Sequence, residues 1–130
     1  MPKITAVIGN QNYKTEITTE TNILIADEPV EVGGQSLGFA PRELLASSLG
    51  ACTAITLKMY AQRKGWNLEE AKVDVTFSWD KENAKSVMNR SIELIGALDE
   101  EQKARLLVIA NSCPVHKILS NPIEISTVLE

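Results

Sequence analysis

The chain has 130 residues, the length of one domain with a buried core. Its 13 Lys and Arg against 17 Asp and Glu leave a net charge of −4, which argues against nucleic acid, whose partners present basic faces. With 44% hydrophobic and 23% charged residues it is neither disordered nor fibrous.

The opening MPKITAVIGN has no long apolar stretch, so no secretory signal is expected. The expected compartment is the cytoplasm, where thiols are held reduced. Lys3–Ile8, Tyr13–Thr19 and Thr21–Ala26 are rich in β-formers, with a turn at Gly9–Asn12, and predict a hairpin followed by a third strand. Gly33, Gly34 and Gly38 then punctuate a loop over Glu31–Ala40. Pro41 starts a long helix, and Arg63, Lys64 and Gly65 end it. Its stretch Leu44–Leu57 carries no charged side chain, so the helix should be buried on most sides. That stretch is shorter than the roughly 20 residues that span a bilayer and contains Ser47, Ser48, Thr53 and Thr56, so no membrane is expected. A chain this short has little else to wrap such a helix. The small residues Ala46, Ser47, Gly50, Ala51 and Ala54 would let a second copy approach it closely, which points to a homodimer with this helix near the two-fold axis.

Val73, Val75, Phe77 and Trp79 alternate with polar residues as in a half-buried strand. After a loop at Lys81–Lys85, Met88, Arg90, Ile92 and Leu94 form its partner, with a less clean alternation. Asp99 with Gln102 is a capping-box start for a second helix, with Leu106, Leu107 and Ala110 as its apolar stripe. Cys113-Pro114 begins a short third helix, and Ile123, Ile125 and Thr127 predict a closing strand. The order of elements is that of an α+β domain, antiparallel sheets around a long central helix, over residues 1–130.

Only two cysteines occur, Cys52 and Cys113. Cys113 precedes a proline at the start of a helix, where free N–H groups and the helix dipole favour a thiolate. Cys52 is mid-helix without such help, and burial would raise its pKa; it reads equally as a small buried hydrophobe or as a reactive thiol. His116, the single histidine, lies three residues after Cys113. Cys52, Cys113 and His116 make three soft ligands where a closed zinc site takes four, so no metal is expected. Arg42 stands in the first turn of the long helix against the dipole, at a cost of roughly 0.3–1 kcal/mol, while Glu43 suits that position.

Pro41-Arg42-Glu43-Leu44-Leu45-Ala46-Ser47-Ser48-Leu49-Gly50-Ala51-Cys52 resembles the central-helix signature of the OsmC/Ohr family, the osmotically inducible protein C and organic hydroperoxide resistance proteins. Cys113-Pro114-Val115-His116-Lys117 resembles that family's second motif. The resemblance implies an intertwined homodimer and thiol-dependent reduction of a small-molecule hydroperoxide in oxidative-stress defence. Cys52 would be the attacking thiolate and Cys113 the resolving thiol, with Arg42 and Glu43 in the catalytic set. No bound cofactor is implied; an external dithiol of the lipoyl or small-thiol type would reduce the disulfide. The family's hydroperoxide reductases carry a glutamate ten residues before the first cysteine, paired with an arginine from an N-terminal loop. Here that position is Arg42, Glu43 follows it, and no arginine precedes Arg42. The chain therefore resembles the OsmC-like branch, and the alternative to a peroxidase is a non-catalytic dimer that binds a small hydrophobic or electrophilic ligand.

Overall fold

Three consecutive β-rich segments early in the chain do pair. In the computed structural model, which describes all residues from Met1 to Glu130, β1 (Thr5–Ile8), β2 (Thr15–Thr18) and β3 (Ile23–Ala26) form an antiparallel sheet in the order β1-β2-β3. Thr5 lies opposite Thr18, and Thr15 opposite Ala26. The helix α1 (Pro41–Lys64), the hairpin β4 (Glu70–Asp80) and β5 (Lys85–Ile95), and the helices α2 (Glu100–Ala110) and α3 (Pro114–Leu119) follow. The architecture is α+β, with antiparallel sheets and a long central helix. The chain forms two compact units, Met1–Leu45 and Ala46–Glu130.

The first unit is organised by one carboxylate. Asp27 is 2% exposed and directly follows β3. Its Oδ1 accepts the backbone N–H groups of Tyr13 (3.1 Å) and Glu28 (2.8 Å). Its Oδ2 accepts those of Gln35 (3.2 Å) and Leu37 (3.1 Å). Four amide donors thus converge on one side chain, and the loop after β3 folds around it. Gly34 belongs to this arrangement: a Cβ there would lie 2.0 Å from the Glu28 carbonyl oxygen and 2.8 Å from Asp27 Oδ1, so no larger residue fits. Burial pushes the Asp27 pKa up, but the four N–H groups outweigh it and hold the carboxyl below its ordinary value.

The second unit has the larger core. Leu57 and Ala61 of α1 meet Leu68, with Leu106 and Ala110 of α2, and Ile92 and Leu94 of β5 pack against them. Leu57 and Leu106 are fully buried, a contribution on the order of 2 kcal/mol each. Trp66 joins this cluster and meets Tyr60 edge to face, ring centroids 5.5 Å apart. Val75 of β4 packs beside Gly50 of α1, where a Cβ would make an ordinary contact with Val75 Cγ2 at 3.6 Å. The Asp99–Gln102 capping box of α2 is formed in both directions.

Three expectations are corrected. First, α1 is not buried on most sides within a single chain. It buries a four-residue stripe, Leu49, Thr53, Leu57 and Ala61, while Ala51, Ile55 and Met59 are exposed. By length and composition α1 could cross a bilayer, but Leu57 and Ala61 of its stripe are packed on protein. Second, Trp79 continues the alternation of β4 in sequence yet is 57% exposed, because it lies opposite Ser86 near the hairpin tip, beyond the core. Third, Ile123, Ile125 and Thr127 form no strand. A β-forming sequence becomes a strand only by pairing, and this segment pairs with none of the five strands.

Candidate thiol site

The second unit brings the two cysteines together. Cys52 lies in the middle of α1 and Cys113 immediately before α3, and both are free thiols. Pro114 occupies the first position of α3, where its missing N–H costs nothing, and this places Cys113 at the N-cap. The backbone N–H of His116 donates to Cys113 Sγ at 3.4 Å. The two thiols are hydrogen-bonded to each other. Cys113 is fully buried and Cys52 is partly exposed.

These contacts separate the two sulfurs electrically. Burial raises the Cys113 pKa, but the Cys52 hydrogen bond, the backbone N–H groups of His116 and Val115 and the Thr53 hydroxyl outweigh it, and the net direction is down. Burial and the bond to Cys113 push the Cys52 thiol up, against smaller lowering effects from the Val115 N–H and Thr56. The pair thus holds one proton more firmly than the other. Of the two, Cys113 gives up its proton more readily and Cys52 keeps it longer. Because the groups are coupled, the two titrations belong to the pair.

A guanidinium bonds residues near the pair. Arg90 of β5 donates through Nη1 to Thr53 Oγ1 (2.9 Å) and to the Ala110 carbonyl (3.2 Å), and through Nη2 to Asn111 Oδ1 (2.7 Å). Thr53 is fully buried and donates to the Leu49 carbonyl at 2.7 Å. Sequence reasoning missed Arg90, Thr53 and Asn111 as site residues. A signal was present for the first: Arg90 falls in register with Met88, Ile92 and Leu94 on the apolar face of β5, where a charge needs partners.

The other two expected site residues stand at the start of α1. Arg42 is exposed in its first turn. Glu43 Oε1 accepts the backbone N–H of Ala40 at 2.8 Å, closing the helix start. No group of three or more His, Cys, Asp and Glu side chains is arranged to hold a metal. The two surface depressions that flank α2 are lined by neither cysteine.

A small α+β fold with a free, hydrogen-bonded thiol pair between a long central helix and a Cys-Pro helix start defines a thiol-pair protein. The chain belongs to the OsmC-like protein family, whose model matches residues 33–128. Solved structures are similar over nearly the whole chain. An OsmC like protein from Mycoplasma pneumoniae is 22% identical, with 92% of this chain and 87% of that chain covered and a TM-score of 0.78. An organic hydroperoxide resistance protein OsmC from Legionella pneumophila is 20% identical, with coverage of 92% and 88% and a TM-score of 0.64. The organic hydroperoxide resistance protein OhrB of Bacillus subtilis is 22% identical, with coverage of 91% and 89% and a TM-score of 0.63. At such identities the likeness establishes the fold. No curated protein matches at a significant level.

Proposed function

We propose that this protein is a thiol-dependent reductase of organic hydroperoxides that works through Cys52 and Cys113 in the cytoplasm. The observation that carries this reading is that two free thiols, Cys52 and Cys113, lie close together. Structural relatives named as organic hydroperoxide resistance proteins support the substrate class. Cys52 attacks because it is the sulfur with exposure. Its proton passes to Cys113, and the Cys52 thiolate then attacks the terminal oxygen of ROOH. The O–O bond breaks, Cys52 becomes the sulfenic acid, and the leaving alkoxide takes the proton from Cys113 to give ROH. Cys113 is left as a thiolate, which attacks the sulfenic sulfur and releases hydroxide as the disulfide forms. An external dithiol, lipoyl or small-thiol in type, restores both thiols by exchange. Arg42 and Glu43 enter this reading through the family motif alone.

Stopped-flow consumption of cumene hydroperoxide and of hydrogen peroxide, each with several dithiols, tests it. Faster turnover of the organic peroxide with one of the dithiols is the expected result. No consumption with any donor would leave the family's fold in use as a ligand-binding dimer.

We also propose that the functional form is a homodimer. Ile55 and Met59 on α1 and Leu107 and Val108 on α2 are each more than half exposed, and so are Ile123 and Ile125 in the unpaired C-terminal segment. Light scattering at micromolar concentration should give roughly twice the chain mass of 14.2 kDa. A monomer of full thermal stability would exclude the dimer.

A further inference from the structure

Arg90 makes three hydrogen bonds, and their acceptors are a hydroxyl, a carbonyl and a side-chain amide, all neutral. Two of these acceptors, Ala110 and Asn111, lie at the end of α2, just before Cys113. The third, Thr53, is the residue after Cys52. One side chain of β5 therefore bonds both the residue after Cys52 and the two residues that end α2 on the way to Cys113.

We propose that Arg90 is a positioning residue for the thiol pair: it orients the Thr53 hydroxyl toward the Cys113 sulfur and anchors the end of α2 that presents Cys113. The argument turns on Thr53 Oγ1. A hydroxyl has one proton to donate and two lone pairs. Arg90 Nη1 occupies one lone pair, so Thr53 meets the guanidinium as an acceptor and its own proton is directed elsewhere. Two acceptors are within its reach, the Leu49 carbonyl and the Cys113 sulfur. While Cys113 is a neutral thiol the carbonyl is the better acceptor. Once Cys113 is a thiolate, the bond to sulfur is charge-assisted and roughly twice as strong, so the hydroxyl turns to it. Arg90 polarises that hydroxyl as it turns, because hydrogen bonds in a chain strengthen one another.

The titratable and charged groups around Cys113 are Cys52 on α1, Arg90 on β5 and His116 on α3; α2 contributes the Ala110 carbonyl and the Asn111 amide. The placement of a half-buried arginine among apolar strand residues also has its explanation here. Arg90 interrupts the Met88, Ile92, Leu94 face of β5, where an apolar residue would pack without needing partners.

The inference deepens the redox-pair reading, which gives Arg90 something to serve, yet it can be tested without peroxide. Cys52→Ser keeps a hydroxyl donor beside Cys113 and leaves Cys113 as the sole thiol. In that background the ultraviolet absorbance of the Cys113 thiolate is followed through a pH titration, which needs no reagent to reach the buried sulfur. Thr53→Val removes the hydroxyl and keeps the β-branched shape. Arg90→Met keeps the length and loses the donors. Each is expected to move the midpoint up by about one pH unit, a tenfold loss of thiolate affinity. Thr53→Ser should restore the parent midpoint, and Arg90→Lys should shift it by an intermediate amount, since a point charge lacks the planar fork. Should Arg90→Met fail to fold, Thr53→Val and Arg90→Lys decide. Unmoved midpoints in folded Thr53→Val and Arg90→Lys proteins would make Arg90 a brace between β5 and α2 and nothing more. A wild-type protein inactive toward every peroxide would defeat the peroxidase reading and leave this titration unchanged.

Discussion

Cys52→Ser is expected to abolish peroxide consumption, with a loss on the order of a thousandfold or more, the scale of removing a nucleophile. Cys113→Ser should instead consume one equivalent of peroxide per chain and then stall. Its Cys52 sulfenic acid, with no second thiol to condense with, should be trapped by dimedone and seen as a mass adduct. Two physical effects compete in this assignment. Charge favours Cys113, which has the N-cap, the His116 N–H and the Cys52 hydrogen bond. Access favours Cys52, because Cys113 is 0% exposed. Access decides, since a thiolate that the peroxide cannot touch has no reaction, whereas a proton can move between hydrogen-bonded sulfurs at little cost. The reverse pattern, one equivalent consumed by Cys52→Ser and none by Cys113→Ser, would exchange the roles. The pair should also titrate in two steps, one below and one above the ordinary thiol value, and either single serine variant should collapse them to one.

Asp27→Asn is expected to lower the thermal midpoint by about 5 °C or more, well beyond a surface change. An asparagine amide offers one oxygen and one NH₂ group. Whichever way it is turned, the NH₂ faces two of the four backbone N–H groups that Asp27 accepts, donor against donor. Proteolysis within residues 28–38 should accelerate in the variant, because that loop is held through Gln35 and Leu37. The same side chain predicts an acid dependence. The folded Asp27 pKa lies below its unfolded value, so its contribution is fully present above the unfolded value of about 3.9 and is lost as pH falls through the lower folded one. The stability gap between wild type and Asp27→Asn should therefore be flat near neutrality and narrow only in acid. An unchanged midpoint, or a gap that widens as pH falls, would show that Asp27 does not hold the loop.

Local chemistry was legible wherever a few neighbouring residues decide the outcome. Proline at the first position and the Arg63-Lys64-Gly65 ending placed α1 at its observed bounds, because helix ends are set by groups within one turn. The Asp99–Gln102 box and the N-cap position of Cys113 followed for the same reason. The two cysteine motifs, each a short contiguous pattern, were enough to find the family. Contiguous pattern could not show what distant segments bring to one another. That the Cys52 and Cys113 sulfurs share a hydrogen bond depends on how α1 and the end of α2 pack, through Leu57, Ala61, Leu106 and Ala110. Asp27 reads as one acid among 17 until the loop closes around it. The C-terminal alternation was read as a strand, yet a strand is a property of a pair of segments, and this one has no partner in the single chain. The same limit hid the arginine: Arg42 lies on the helix of Cys52, whereas Arg90, from a distant strand, donates to Thr53, the residue after Cys52. Sequence alone determined the bounds of α1, the capping box of α2 and the N-cap place of Cys113, because those depend on near neighbours. Only the tertiary structure decided which guanidinium and hydroxyl serve the residues around those thiols and which sulfur is exposed, because these depend on distances between segments far apart in the chain.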